Sequence, residues 1–148
     1  GIPLWEELML KTILSSALLA GAIITTSATM SFAGDAKGDW VRPNGASKIR
    51  ISSCGSSLCG KLIWLREPRN DTRNPDAAKR DRPLLGVQIV QAMKPTDKEN
   101  QWKGKVYNAE DGKTYTGFIE LTSANALKLE GCVMGGLICK GETWKREQ

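Results

Sequence analysis

Residues Ile49 to Leu65 read IRISSCGSSLCGKLIWL. Two apolar runs flank a short turn, and Cys54 and Cys59 stand at its rims. In the first run Ile49 and Ile51 alternate with Lys48 and Arg50, the period of a strand with one buried face. The return run, Gly60 to Arg66, carries Leu62, Ile63, Trp64 and Leu65 and is apolar on both faces, which predicts a central strand or one facing a partner. The stretch predicts a β-hairpin with a disulfide across its turn.

The same two-residue period recurs outward from this hairpin. Gly38 to Arg42 is a short strand ended by Pro43-Asn44-Gly45, where Pro presets φ and Gly permits a left-handed turn. Leu84 to Met93, Trp102 to Tyr107 and Thr114 to Leu121 follow, the last two joined by a turn in which Asp111-Gly112 supplies positive φ. Ala126 to Val133 and Leu137 to Lys145 make a closing pair around Met134-Gly135-Gly136. No long helical period occurs in this part of the chain. The pattern predicts an all-β domain of about eight short strands, closed into a small antiparallel barrel because closure removes exposed edges. A two-sheet sandwich is the alternative. The longest polar stretch, Glu67 to Pro83, is a seventeen-residue loop, long enough to imply function or mobility. A helical turn is expected in it over Asp76 to Arg80, with Asn74 as cap and Pro75 at the first position.

Upstream, Met9-Leu10-Lys11 opens an uncharged run from Thr12 to Met30, and Ser31-Phe32-Ala33 supplies small residues for signal peptidase. Residues 9–33 are expected to be a secretory signal, cleaved before Gly34. A membrane anchor is the alternative, and only through this segment would the chain meet a membrane. Residues 1–8 read as an upstream extension or start-site artefact, and 34–148 as one domain. Without Lys11, Glu6 and Glu7, 20 basic residues face 14 acidic ones, a net +6. The excess is spread along the chain, which favours solubility and weak attraction to anionic surfaces over a nucleic-acid site.

Export to a periplasmic or extracellular compartment places Cys54, Cys59, Cys132 and Cys139 in oxidising surroundings, where an even count reads as disulfides. Of three connectivities, Cys54–Cys59 and Cys132–Cys139 are preferred, because each pair brackets a Gly-containing turn. Loops this small contribute about 2 kcal/mol each, so the bridges act as turn clamps. A four-thiolate zinc site is the rival, but the six-residue spacer between Cys132 and Cys139 exceeds the usual two to four.

The ordered series GDW at 38–40, CGSSLCGKLIWL at 54–65, NP at 74–75, RPLLG at 82–86, EDGKTY at 110–115, and LKLEGC followed by ETWKR resembles the bacterial secreted family catalogued as domain of unknown function 2147. The likeness covers essentially the whole of 34–148. It implies a single-domain envelope protein with a lipocalin-like barrel and no established activity, so it supplies no catalytic residues. Gly38-x-Trp40 and Arg146 also resemble the calycin arrangement, in which a Trp and a basic side chain close the barrel. A guanidinium can stack on an indole while bonding nearby carbonyls, which makes Trp40 and Arg146 structural.

No histidine occurs, which removes the usual neutral-pH base and the commonest metal ligand. No catalytic residue, cofactor or metal is expected. A hydrolase working through loop carboxylates such as Asp71 and Asp76 is the weakest option. Arg66, Arg69, Arg73, Lys79, Arg80 and Arg82 cluster around the long loop, where internal pairing with Glu67, Asp71, Asp76 and Asp81 outweighs an anion site. A barrel of about eight strands either fills with side chains or holds one small ligand. The leading expectation is a monomeric, non-enzymatic binder of a small apolar or amphipathic molecule. Trp64, Trp102, Arg66, Asp71, Asn74, Arg82, Tyr107 and Tyr115 are the candidate cavity or rim residues, and the long loop is a candidate lid. An envelope structural module, contacting a protein or the cell wall, is the alternative.

Overall fold

The computed structural model describes residues 20–24 and 34–148. The upstream extension 1–8 and the signal expected over 9–33 lie outside the described residues, except for 20–24, which carry neither helix nor strand. From Gly38 onward the chain is a closed meander, as the short alternating segments require. Its strands are β1 (Gly38–Val41), β2 (Ser47–Cys54), β3 (Ser57–Leu65), β4 (Gln88–Pro95), β5 (Gln101–Asn108), β6 (Lys113–Ser123), β7 (Ala126–Val133) and β8 (Ile138–Arg146). Each pairs antiparallel with the next, and β8 returns to β1 through Trp40↔Arg146 and Val41↔Lys145. Closure excludes the sandwich.

An up-and-down barrel delivers its loops alternately to two ends. One end gathers the Cys54–Ser57 turn and the connections at 96–100 and 124–125. The other gathers 42–46, the long connection 66–87, and the turns at 109–112 and 134–137. Inward residues of the first half are large, and Trp40, Ile49, Ile51, Met93, Ile119, Leu127 and Trp144 are fully buried there. Outward positions carry Arg50, Lys61, Lys103, Lys105 and Lys128, all exposed.

The first end is shut by the β1–β8 seam. The Arg146 guanidinium lies 4.3 Å over the Trp40 ring. It also donates to the carbonyls of Asp35 (2.7 Å), Lys37 (2.9 Å) and Ala124 (2.9 Å). Stacking satisfies its face and the carbonyls satisfy its edge, so the cation closes the barrel without a carboxylate. Gly38 permits this approach: its φ is +131° and a Cβ there would stand 2.7 Å from Arg146 Nη1.

Both cysteine pairs are local, as their turns predict, and no cysteine is free among the described residues. The Cα separations are 5.8 Å for Cys54–Cys59 and 4.1 Å for Cys132–Cys139, whose residues stand opposite each other in register. The zinc alternative falls with the sulfurs bonded in pairs. One staple sits at each end of the barrel. Two disulfides belong to an oxidising environment.

Three local expectations are corrected. β4 starts at Gln88 instead of Leu84, because Gly86 (φ +88°) turns the backbone. Its N–H donates to Leu62 O at 2.8 Å, while Leu84 N–H donates to Arg69 O at 2.9 Å. The helical turn is a single 3-10 turn, Ala77–Lys79, capped by Asp76, whose carboxylate accepts from Ala78 N–H at 3.0 Å. Asn74 instead accepts from Asp76 N–H at 2.9 Å. In β3 the register slips by one residue between the pairs Lys48↔Trp64 and Ile49↔Leu62, leaving Ile63 as a bulge. A one-residue slip reverses every side chain beyond it.

Candidate functional site

The second half of the barrel is not filled. A cavity of about 750 Å³ opens at the end that carries the long connection. Its floor is apolar, formed by Leu62, Leu84, Ile89, Val106, Leu129 and Trp144. Small residues on the wall leave the space: at Gly131 a Cβ would meet nothing closer than the Tyr115 Cβ, at 3.6 Å.

One polar group is built into the wall. On β8, Lys140, Glu142 and Trp144 alternate, so all three share the inward face. Glu142 Oε1 accepts from Arg42 Nε at 2.7 Å and from Trp144 Nε1 at 2.8 Å, and Oε2 accepts from Arg42 Nη2 at 3.2 Å. Burial by itself raises the Glu142 carboxyl, but the Arg42 fork and the indole N–H outweigh it and hold the group below its ordinary value. Ser47, beside them on the inward face of β2, is 2% exposed and its hydroxyl has no partner among the described residues. Lys140 reaches the mouth with no ion-pair partner among the described residues. These five side chains escaped the sequence reading. The signal was present: with Trp144 inward, the alternation Lys140-x-Glu142-x-Trp144 puts both charges on the inward face, Glu142 within the wall and Lys140 at the mouth.

The candidate residues separate into four places. Arg66 and Tyr115 line the mouth; Arg66 donates to Asn44 O and Tyr115 to Asp111. That phenolic donor is the first cause holding the Asp111 carboxyl below its usual range. Asp71, Asn74, Arg82 and Tyr107 do come together where the long connection folds over β5; Tyr107 also contributes to the cavity lining, while its hydroxyl is turned to Asp71 behind the wall. The Asp71 side chain is fully buried. It accepts from Tyr107 Oη (2.6 Å), Asn74 Nδ2 (2.9 Å) and Arg82 Nε (3.0 Å), and forms an ion pair with Arg82, whose Nη2 lies 2.9 Å away. Burial raises the Asp71 carboxyl, and these donors bring it below its ordinary value. The same burial, followed by the Asp71 bond, pushes the Tyr107 phenol up to about 12.

With its acceptors occupied, Asp71 is a fastening. The connection expected to be a lid is held to the barrel wall, and Gly112 abuts it so closely that a Cβ there would overlap Arg73 O, at 1.8 Å. Asp71 and Asp76 therefore do not face each other across a cleft, because one is bound in the fastening and the other caps the 3-10 turn.

The two tryptophans are corrections. Trp64, after the β3 bulge, points outward beneath Lys48 and is 42% exposed. Trp102 stands opposite Ile119 and packs against the filled half of the core. Neither lines the cavity.

The family described as "Uncharacterized protein conserved in bacteria (DUF2147)" matches residues 38–146. Among solved structures, the chain is similar to protein HP1028 from the human pathogen Helicobacter pylori, described as belonging to the lipocalin family. Identity is 23%, the match covers 77% of this chain and 84% of that one, and the TM-score is 0.68. That likeness is one of fold. No curated protein matches the chain.

Proposed function

The chain belongs to the bacterial family of domain of unknown function 2147, and on that premise we propose that it is an envelope carrier that binds one small amphipathic molecule in the barrel mouth. A lipocalin-like barrel is compatible with such cargo, and the observation that carries the reading is the cavity itself. About 750 Å³ lies within the range of small-molecule sites. Its chemistry is graded, with Trp144, Leu62 and Leu129 below and Arg66, Lys140 and Tyr115 above. An apolar tail would displace water from the floor, and a polar end would remain near the cations and solvent. The orphan Ser47 hydroxyl and the internal Arg42–Glu142 pair add orientation, since a cargo that leaves buried polar groups unmatched loses affinity. The proposed compartment is the periplasm or the exterior, in keeping with the two disulfides.

The test is titration of the purified protein with the fluorescent apolar probe N-phenyl-1-naphthylamine, alongside mass spectrometry of lipid extract carried through purification. Saturable binding is expected. Gly131→Leu, which places a branched side chain in the open space beside Tyr115, is expected to weaken it at least tenfold, about 1.4 kcal/mol. Failure of the wild type to bind the probe, or equal binding by a folded Gly131→Leu variant, overturns the proposal.

A further inference from the structure

The tip of the β7–β8 hairpin is built like an insertion element. Val133, Met134, Leu137 and Ile138 are 40, 70, 84 and 54% exposed, and no charge interrupts the sequence from Gly131 to Cys139. Scattered exposed apolar residues are ordinary, but four on one turn form a patch. Among the described residues the turn stands clear: apart from the adjoining residues of the turn itself, no atom lies within 4 Å of where a Cβ would stand at Gly135 or Gly136. The Cys132–Cys139 bridge, with Cα atoms 4.1 Å apart, fixes the hairpin below the turn. The backbone of the turn is thus ordered before contact, which lowers the cost of docking.

We infer that this tip docks the barrel, mouth first, onto the interface of a lipid bilayer that contains anionic lipid. Four side chains on a single turn are too few for a stable protein interface, which buries about 800 Å² on each partner. They suit a wedge entering the headgroup region. Val133 and Ile138 also line the cavity, so whatever phase receives the tip adjoins the mouth. The charge nearest the tip agrees. Lys140 follows it directly and the chain is +5 overall, while farther round the mouth Arg66 and Arg69 are balanced by Glu67, Glu110 and Asp111. A lysine behind an apolar tip can extend its stem and leave its ammonium among anionic headgroups. Contact is confined to this end, because the barrel wall carries exposed Arg50, Lys61, Lys103, Lys105 and Lys128, which a lipid-facing wall excludes.

The inference does not require that the cavity hold cargo. The test uses the unit Phe32–Gln148, which is compact on its own and lacks the apolar run upstream. Flotation is measured with vesicles of phosphatidylcholine alone and of phosphatidylcholine and phosphatidylglycerol in equal parts. The wild type is expected to float with the mixed vesicles. Met134→Ser and Leu137→Ser are each expected to lower the partition coefficient about tenfold. Lys140→Gln is expected to lower it on the mixed vesicles and leave it unchanged on phosphatidylcholine. Binding of N-phenyl-1-naphthylamine without vesicles checks the fold of the serine variants, whose changes lie outside the cavity lining. Three results overturn the inference: no flotation of the wild type, flotation indifferent to both serines, or a tip-dependent dimer in light scattering without vesicle affinity. The last would assign the tip to a second copy of the chain. Probe binding that persists alongside any of them leaves the proposed cargo site standing.

Discussion

Replacing Tyr107 by Phe removes one oxygen from behind the barrel wall and tests whether the long connection is fastened there. The phenol donates to Asp71 Oδ1 at 2.6 Å, with both side chains out of solvent. A hydrogen bond to a charged acceptor contributes about 1.5–3 kcal/mol. Asp71 Oδ2 keeps Asn74 and Arg82 in the variant, so the carboxylate stays ionised. Ionisation of the phenol sets the pH window in which this contribution is lost. Burial, then the Asp71 bond, raises the phenol from 10.0 to about 12. A group raised on folding stabilises fully below its unfolded value and loses that contribution as pH rises through the folded one. The window therefore runs from about pH 10 to about 12, and two units correspond to about 2.7 kcal/mol.

The expected result is specific in both size and pH window. Urea unfolding of wild type and Tyr107→Phe is compared from neutral pH to about 12. The wild type is more stable by about 2–3 kcal/mol at neutral pH, and the difference vanishes across the upper window. Taking the difference between the proteins removes the lysine titrations common to both. A difference that stays constant to the top of the range would mean that the phenol titrates as a solvated group. Equal stability at neutral pH would refute the fastening altogether.

Two other consequences concern the barrel's ends. Arg146→Ala removes the stack on Trp40 and three carbonyl bonds; a loss of about 2–4 kcal/mol in urea unfolding is expected, and a loss under 1 would assign closure to the strands alone. Converting Cys132 and Cys139 together to serine is expected to cost about 2 kcal/mol and to lower the thermal midpoint. A midpoint unchanged by the double substitution would show that the mouth hairpin holds its shape without the staple.

Strand alternation, Gly-bearing turns and paired cysteines are local signals, and they made eight strands and both bridges legible in the sequence; the Trp40–Arg146 closure was legible only through the resemblance to the calycin arrangement. What sequence left hidden depends on distant geometry. The bulge at Ile63 is an offset between two strands, so nothing in LIWL reveals that Trp64 faces outward and Leu65 inward. Asp71 sits in a run of charges that reads as solvated, yet it is buried because the connection folds over β5 and meets Tyr107. The open half of the barrel is a difference in side-chain volume summed around the ring. It follows from Gly131 and the charged inward pair on β8, and becomes visible only once the register is fixed. The candidate site was therefore half legible. Its rim residues Arg66 and Tyr115 were named, while its floor and internal ion pair were not.

The seam between first and last strands also sets an order of assembly. Every other pairing joins neighbours in sequence, so strands β1 to β7 can pair as the chain lengthens, through short turns everywhere except the long connection 66–87 between β3 and β4. The seam rests on Trp40↔Arg146 and Val41↔Lys145 and waits for the last strand. Until then β1 and β7 are bare edges, which pair readily with other chains. A chain shortened by β8 would aggregate through those edges instead of persisting as a seven-stranded remnant. Arg146, fastening the end of β8 to the carbonyls of Asp35 and Lys37, is thus the latch of the final folding step.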